Sequence, residues 1–268
     1  MKRVSIVTVT YNCASVIDET LQSIVNQDYS NKQIVVIDGK SRDDTLKRIN
    51  AYRTCIDVLI SEPDKGIFDA MNKSLDYIDG DYVIFINAGD KFVNDQVLSG
   101  VFEKYENDDD LIYGDSYVQT KFGYRLRNAN PIYVKNASVR DYVFRGQGIC
   151  HQSLFTKISA LRKEGFNLDY PLGADYDTTA RVYKNGNRSI HYCGKPVAVF
   201  DDREGGASHY KELKVFKERV KMFGYDATLF DYMQIYWKIA KQRVKCKLEA
   251  VFPNLVGKLR QRKYSSSI

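Results

Sequence analysis

The first ninety residues alternate between apolar runs and amphipathic segments. The apolar runs are rich in β-branched residues and end at polar turns, as buried strands do. They predict strands at Val4–Thr10, Gln33–Ile37, Ile56–Ile60 and Tyr82–Ile86. Apolar residues at helical spacing predict helices at Val16–Gln27, Ser41–Tyr52 and Ile67–Tyr77, the second with Ser41 and Asp44 as its capping signal. Strands that alternate with helices indicate βαβ units and a mainly parallel sheet.

The pattern changes after Asp90. The acidic run Asp108–Asp110 is interpreted as a solvated turn before a strand at Leu111–Asp115, and residues 116–148 as a β-hairpin with loops over a site. Downstream, the pattern predicts helices at Phe155–Glu164 and Ala174–Asn185, a strand at Val197–Phe200 and a helical remainder. It predicts one boundary, near Ser208, between a domain of residues 1–208 and an extension of residues 209–268.

The chain of 268 residues is long enough to bury the core of one large α/β domain. No apolar run approaches the ~20 residues that a transmembrane helix needs. The run Val4–Val9 behind Met1-Lys2-Arg3 is too short and too polar for a signal peptide. The five cysteines are dispersed without a Cys-x-x-Cys pair, which indicates reduced thiols rather than a zinc site or a disulfide framework. We therefore expect a cytoplasmic protein.

The net charge of +6 conceals an asymmetry. Residues 209–268 carry fourteen Lys/Arg and five Asp/Glu, whereas residues 1–208 carry 26 and 29. Apolar residues at helical spacing, among them Tyr236 and Trp237, run through the basic part and predict a basic amphipathic helix, which suits an anionic membrane surface. Packing against its own domain is the alternative. Nucleic acid is disfavoured, because the tail has no recognised binding fold and the rest of the chain is acidic.

Polar residues follow three of the predicted strands. Tyr11 and Asn12 follow the first, Asp38 ends the second, and Asp90 closes the polar segment after the fourth. Because parallel strands end at one edge of a sheet, these side chains should converge, in an arrangement that suits a ribose or base and a divalent metal on a diphosphate. The alternative for each Asp is a turn cap. No Gly-x-Gly-x-x-Gly follows the first strand and no P-loop is present, so those nucleotide sites lack support.

Six segments occur in an order that is typical of one enzyme family. They are Val7–Asn12, Val36–Thr45, Asp64–Lys73, Asn87–Asp90, His151-Gln152 and Gly173–Asp177. Over about Val4–Ser208 the chain resembles family 2 of the nucleotide-sugar glycosyltransferases, which have the GT-A fold. It is most similar to the bacterial branch that builds capsule, exopolysaccharide or O-antigen units. The resemblance implies an α/β fold with a sheet flanked by helices, followed here by the basic helical tail.

The resemblance also assigns roles to residues. It implies that a nucleotide-sugar site is formed by Val9, Thr10, Tyr11, Asp38, Asp64, Gly66, Asn72, Asn87, Ala88 and Gly89. Within it, Asp38 would face the uracil or ribose, and Asp64, Gly66 and Asn72 would shape the wall. His151 and Gln152 would contact the donor sugar or the acceptor. A lone His is more often structural, and that alternative stays open.

The segment that corresponds to the family's metal motif is incomplete. The motif is usually Asp-x-Asp or Asp-x-Asp-Asp, whereas this chain has Asn87-Ala88-Gly89-Asp90, without the first and third carboxylates. Asp90 is then the remaining carboxylate for Mn²⁺ or Mg²⁺, together with diphosphate oxygens and waters. Such hard ions prefer oxygen ligands and often use one or two protein carboxylates when a phosphate contributes.

The implied reaction is attack of an acceptor hydroxyl on the anomeric carbon of the sugar. A carboxylate must accept the proton of the hydroxyl, and the family's Glu-Asp pair corresponds to Ala174-Asp175, which makes Asp175 the candidate base. Asp177, about 200° further round a helix, is interpreted as a structural partner, although a shift of one position would exchange the two roles. The alternative for Asp175 is a carboxylate favoured by the helix dipole.

Together these features predict an inverting, metal-dependent glycosyltransferase of cell-surface polysaccharide biosynthesis. The donor would be a nucleotide-diphosphate sugar, with a UDP-sugar favoured, and the acceptor a saccharide on a polyprenyl lipid. The protein would be cytoplasmic, with the tail placing it at the inner face of the membrane, and would have no nucleic-acid partner. The alternatives are a non-catalytic nucleotide-binding homologue and a regulatory protein of the same fold.

Overall fold

One mixed β-sheet organises the chain. The computed structural model describes residues 1–134, 137–203, 211–251, 265, 267 and 268. Within these residues the sheet has nine strands: β1 Val4–Thr10, β2 Lys32–Asp38, β3 Val58–Ser61, β4 Tyr82–Phe85, β5 Lys91–Phe92, β6 Leu111–Thr120, β7 Gly123–Arg127, β8 Leu154–Lys157 and β9 Ile190–Asp201. The strands lie in the order β3-β2-β1-β4-β8-β6-β9-β5, and β7 pairs with β6.

Helices cover both faces of this sheet. The described helices are α1 Ile17–Val25, α2 Thr45–Asn50, α3 Ile67–Ser74, α4 Val97–Phe102, α5 Val139–Arg145, α6 Ile158–Glu164, α7 Ala174–Asn185, α8 Glu212–Met222 and α9 Leu229–Val251. Successive β1 residues point to opposite faces, so Ile6 belongs to a buried cluster with Leu21 of α1, and Val7 to another with Met71 of α3. Because both faces are covered, β1 and β4 are buried along their whole length and β2 is buried from Gln33 onward.

The direction of the strands changes across the sheet. The first four strands are parallel, as the alternation of strands and helices predicted. Farther along, β8 pairs antiparallel with β4 and β6, and β9 runs parallel to β6. The sheet is therefore mixed as a whole, with a parallel half that carries the loops after β1, β2 and β4 at one edge.

Several predicted elements have other boundaries. The helix predicted from Phe155 is wrong at its start, because Leu154–Lys157 pairs as β8 and the helix begins at Ile158. Phe155 is fully buried in the sheet, and the hydrophobic periodicity of so short an apolar run does not distinguish a strand from a helix. The predicted hairpin is present but joins β6 to β7, and β9 begins at Ile190 rather than at Val197.

The predicted cap of α2 is also wrong. The helix begins at Thr45, whose backbone N–H donates to Asp43 Oδ1 at 3.0 Å. Ser41 does not cap it, because its side chain hydrogen-bonds to Asp38 instead.

The C-terminal helices pack against the rest of the fold. Phe216 of α8 and Ile235 of α9 form a buried cluster with Val143 of α5, and the buried Asp231 pairs with Arg140 at 3.0 Å. The boundary predicted near Ser208 lies outside the described residues. Across the described residues, every helix is too short or too polar to cross a membrane.

Candidate active site

The loops after β1, β2 and β3 form a slot. Tyr11 is 59% exposed, and a Cβ placed on Gly39 would lie 3.3 Å from its ring and 2.3 Å from Asp64 Oδ2. A larger residue at this position would displace the Asp64 carboxylate from the Tyr11 ring. Asp64 Oδ1 accepts from the N–H of Gly66 at 2.9 Å, and Gly66 has a φ of +124° that favours glycine. An exposed ring beside a carboxylate can stack on a base and accept from its N–H groups.

Asp38 lies at the predicted edge but is fully buried. Its oxygens accept from the Ser41 backbone N–H at 2.9 Å, the Ser41 hydroxyl at 2.5 Å and the Ser61 hydroxyl at 2.6 Å. The carboxylate thus holds two loops beside the slot. A direct contact between Asp38 and a nucleotide would require an exchange of these bonds, and it stays a prediction.

Three other predicted residues are held within the fold. Val9 and Thr10 are buried at the end of β1. Asn72 of α3 is bound at both ends of its amide, since it accepts from Phe166 N and donates to Phe166 O, each at 2.8 Å. Asn72 therefore ties α3 to the segment that precedes α7, and its place in the wall of the nucleotide site stays a prediction.

The His-Gln pair holds both ends of the segment after β4. His151 Nε2 lies 3.2 Å from Asn87 Nδ2, and Gln152 Nε2 donates to Asp90 Oδ2 at 2.8 Å. The other His151 nitrogen, Nδ1, lies 3.6 Å from Asp175 Oδ2, slightly beyond a hydrogen bond. Asn87, His151 and Asp175 thus form a line from the strand end to the first turn of α7.

The environment of His151 favours a neutral ring. Desolvation lowers the pKa of His151, against the opposing effect of Asp175, and Arg127 lowers it further. A neutral imidazole with its proton on Nδ1 would face Asp175 and accept from the Asn87 amide at Nε2. His151 and Asp175 also border a small, mainly apolar cavity, which Phe85 and Phe166 help to line.

Asp90 is buried, and each of its carboxylate oxygens accepts one hydrogen bond. Besides the bond from Gln152, its Oδ1 accepts from the backbone N–H of Asp201 at 2.9 Å. Burial raises the pKa of Asp90 to about 7, and the nearby Asp201 carboxylate acts in the same direction, whereas the two hydrogen bonds oppose it. A divalent cation at this point would favour the ionised form.

Sequence reasoning did not identify Asp201. Gly89 has a φ of +101°, and a Cβ on it would lie 3.4 Å from Asp201 Oδ2. The Asp201 carboxylate from β9 therefore stands beside the position where the family motif has an aspartate. Arg203 pairs with it through two bonds of 2.9 Å. The one signal in the sequence was an Asp at a strand end.

The residues present fit a cation that a diphosphate helps to hold. Asn87 Oδ1 is buried without a hydrogen-bond partner in the described structure, and the Asp90 and Asp201 carboxylates lie nearby. Among the described residues, no three His, Cys, Asp or Glu side chains are placed to hold a metal by themselves. Two carboxylates and one amide oxygen therefore need phosphate and water oxygens to complete a shell.

Asp175 and Asp177 differ in their surroundings. The Asp177 carboxylate is buried and pairs with Arg181 at 2.7 Å, and Arg181 also pairs with Glu164 at 2.8 Å. The Asp175 side chain is 23% exposed and faces His151. Asp175 is therefore accessible to a substrate, whereas Asp177 takes part in the ion pairs through Arg181 that connect α7 to Glu164 of α6.

Comparisons with known proteins identify the family of the chain. Residues 5–169 match the model of the family described as Glycosyl transferase family 2. The chain is 29% identical over 224 residues to the PGL/p-HBAD biosynthesis glycosyltransferase Rv2957 of Mycobacterium tuberculosis, covering 81% of this chain and 84% of the relative. It is 28% identical over 123 residues to the Escherichia coli UDP-Glc:alpha-D-GlcNAc-diphosphoundecaprenol beta-1,3-glucosyltransferase WfaP, covering 46% and 49%.

Solved structures show the fold. Staphylococcus aureus TarS 1–349 in complex with UDP-GlcNAc superposes with a TM-score of 0.61 at 18% identity, over 97% of this chain and 78% of TarS. Glucosyl-3-phosphoglycerate synthase of M. tuberculosis, in complex with Mn²⁺ and UDP, gives 0.56 at 17% identity, over 85% and 82%. The GT-A fold predicted from the sequence is confirmed.

The buried Asp90 should make stability depend on pH. In the folded protein it holds its proton up to a pKa of about 7, against 3.8 as its ordinary value. The folded state therefore binds more protons over this range, and stability should fall as pH rises from about 4 to about 7. Asp90→Asn cannot ionise, so it should lack this part of the fall, and its stability relative to the wild type should rise by about 1–3 kcal/mol between the two ends of the range. Thermal unfolding from pH 4 to 8 with a chelator present measures the difference. Parallel curves for the two proteins would contradict it.

Proposed function

The chain belongs to family 2 of the glycosyltransferases, and we propose that it transfers a sugar, with inversion, from a UDP-sugar to a saccharide acceptor. The observation that carries this proposal is the line Asn87–His151–Asp175, which joins the strand end beneath the donor site to an accessible carboxylate. A glycosyl transfer needs these two parts, one to hold the donor diphosphate and one to accept a proton, at opposite sides of the anomeric carbon.

Asp175 is the proposed general base. An acceptor hydroxyl becomes an effective nucleophile when a carboxylate takes its proton as the new bond forms. The half-buried His151 lies beside this carboxylate on one side, with its Nδ1 3.6 Å from Asp175 Oδ2. A single displacement at the anomeric carbon inverts its configuration. Asp177 is not available as a nucleophile for a second displacement, because Arg181 and its helix hold it.

The slot between Tyr11 and Asp64 is the proposed base site. The Tyr11 ring can stack on a pyrimidine, and Asp64 Oδ2 has room to accept from an imide N–H because Gly39 lies beneath it. Uridine carries such an N–H. The names of WfaP and of the TarS complex specify UDP-sugars, which supports the choice of UDP.

A divalent cation is the proposed cofactor. Asp90, Asp201 and Asn87 Oδ1 would hold it together with the diphosphate, and Mn²⁺ and Mg²⁺ both suit such oxygen donors. When bound, the cation neutralises the charge that develops on the leaving diphosphate. The Mn²⁺ in the structure of glucosyl-3-phosphoglycerate synthase supports the proposal.

Helix α9 supports an acceptor carried on a lipid. One side of α9 packs inward through Ile235, as the alternative from the sequence allowed. The other side exposes large apolar side chains, with Phe230 and Trp237 63% and 64% exposed. These exposed apolar residues, which we call the α9 outer face, are Leu229, Phe230, Met233, Tyr236, Trp237 and Val244.

The charges on α9 select an anionic surface. Lys238, Lys241, Arg243 and Lys247 are exposed on the same helix, and its Asp231 is buried and paired with Arg140. Aromatic residues beside lysines suit the interface of an anionic membrane. We propose that α9 holds the enzyme at the inner face of the membrane, next to a polyprenyl-linked acceptor in cell-surface polysaccharide assembly. WfaP, whose name specifies a diphosphoundecaprenol acceptor, supports this class of acceptor.

A non-catalytic homologue is the second candidate, since two motif carboxylates are absent. Incubation with UDP-, GDP- and dTDP-sugars, Mn²⁺ and membrane extract separates the two. We expect transfer from a UDP-sugar, and Asp175→Asn should reduce it by about 10²–10⁴-fold while UDP affinity stays within about twofold. Asp177→Asn, the matched control, should lose thermal stability more than turnover. An active Asp175→Asn beside a dead Asp177→Asn would move the base by one position, and nucleotide binding without any turnover would favour the non-catalytic candidate.

Asp90 should make the binding of UDP depend on the divalent cation. UDP titrated by calorimetry should bind more tightly with Mn²⁺ than with a chelator, because the cation bridges the diphosphate and the carboxylates. Asp90→Ala should lose most of this gain and keep its affinity without Mn²⁺. Equal affinities with and without Mn²⁺ in both proteins would show that Asp90 holds no cation.

Vesicle binding tests the α9 outer face. Full-length protein should sediment with vesicles containing phosphatidylglycerol and should dissociate as salt rises, because charge attraction is screened over about 8–10 Å. Each basic residue contributes ~1 kcal/mol, so Lys238→Glu with Lys241→Glu should weaken binding at least about tenfold. Lys214→Glu with Lys217→Glu, exposed on α8, is the charge-matched control. Failure to sediment at low salt, or dimerisation that Trp237→Ser abolishes, would assign the α9 outer face to something other than lipid.

A further inference from the structure

Helix α8 contacts the start of α7 on both sides of Asp175. On the preceding side, Glu218 Oε2 accepts from the backbone N–H of Leu172 at 3.0 Å. The same oxygen would lie 3.6 Å from a Cβ on Gly173, and Met222 Cε would lie 3.4 Å from it. Glu218 is buried, so this bond lies away from competing water. It fixes the backbone of the turn that leads into the helix.

On the following side, α8 holds Tyr176. The Arg219 guanidinium lies 5.4 Å from the centre of the Tyr176 ring, and the Phe223 ring lies 5.1 Å from it. Arg219 Nη1 also donates to Val143 O at 3.3 Å. Gly146 ends α5 with a φ of +71°, and a Cβ there would lie 2.8 Å from Arg219 Nη2. Glycine at this position leaves the space that the guanidinium fills.

Arg219 is itself held in a partly buried position. Burial lowers the pKa of Arg219, and the nearby Tyr176 and Asp175 act in the opposite direction. The contacts from α8 therefore reach the residues on either side of Asp175, Leu172 and Tyr176, rather than its carboxylate. Together with His151, which approaches at 3.6 Å, α8 surrounds the first turn of α7.

We propose that Glu218 and Arg219 are positioning residues that set the direction of the Asp175 carboxylate. Helix α8, which the sequence places in the extension after residue 208, is then part of the apparatus that transfers the proton. The proposal rests on the proposed role of Asp175 as the base. Glu218 acts on the backbone before Asp175 and Arg219 on the side chain after it, so neither needs to touch the substrate.

Single-residue variants test this in the full-length protein. Glu218→Ala and Arg219→Ala should each lower kcat by about 10–100-fold, the cost expected when a reacting group is displaced by about 1 Å. The KM for the donor and the Kd for UDP should stay within about twofold, because the slot at Tyr11 is not touched. Glu218→Gln keeps an oxygen that can accept from Leu172 N and should retain most of kcat. Lys217→Ala, exposed on the same helix, should match the wild type.

A double-mutant cycle separates positioning from general support of the fold. In an Asp175→Asn background, Arg219→Ala should reduce the residual rate by less than about twofold, because the group that Arg219 positions no longer acts. If either alanine variant should fail to fold, the kcat of Arg219→Lys is measured instead. It keeps the charge but loses the planar contact with Tyr176, and it should lower kcat by about 3–10-fold.

Two results would overturn the proposal. One is a folded Glu218→Ala and a folded Arg219→Ala that both keep the wild-type kcat. The other is an equal further loss from Arg219→Ala with and without the Asp175 carboxylate, which would make α8 a structural support only. A failure of the proposed function has a different result, a fully active Asp175→Asn, so the two failures are distinguishable.

Discussion

Parallel pairing of β1 with β2 on one side and β4 on the other is the constraint on which the rest of the structure depends. Thr10 lies opposite Asp38, so the two strands end at one level and their loops share one edge. Main-chain bonds continue past the strand ends, from Gly39 N to Thr10 O at 2.9 Å and from Ala88 N to Val9 O at 3.4 Å. The base slot and the segment after β4 are therefore fixed relative to each other by backbone bonds that no side-chain substitution removes.

The second half of the chain is attached to this edge through one dipeptide. His151 and Gln152 precede β8, which pairs antiparallel with β4, and this pairing brings them next to the segment that follows β4. His151 reaches Asn87 at one end of that segment and Gln152 reaches Asp90 at the other. The proposed base, Asp175, is therefore separated from Asn87 on the donor side by the imidazole ring of His151. A displacement of β8 would move both contacts together, and the full burial of Phe155 in the core opposes such a displacement.

The elements that could be predicted from the sequence are those whose signals lie within a short stretch of the chain. β1, β2 and α7 were predicted closely because their periodicity and their flanking polar residues agree, and the motif order led to the correct fold. What it missed depends on distant partners. The apolar run around Phe155 is compatible with a helix or a strand, and its pairing with β4 and β6 decides for a strand. Asp201 can be recognised as a site residue only from its position beside Gly89, more than a hundred residues earlier in the chain. The apolar positions of α9 were predicted as one broad face, whereas contact with α5 and α8 divides them into a buried side and an exposed side.

The departures from the family motif change the electrostatics of the site in a consistent way. Asn87 and Gly89 remove two negative charges, and Arg203 compensates the charge of Asp201. Among the residues that the structure describes, Asp90 is the carboxylate at this site without a cationic partner, and burial raises its pKa to about 7. A site with so little net negative charge attracts a free cation weakly but repels a diphosphate weakly too. The donor would then bring most of the charge that holds a cation, and ionisation of Asp90, cation binding and diphosphate binding would favour one another. On this view the two absent carboxylates do not argue against a cation. They would make the retention of the cation depend on the substrate, so that the cation would leave with the diphosphate once the sugar has been transferred.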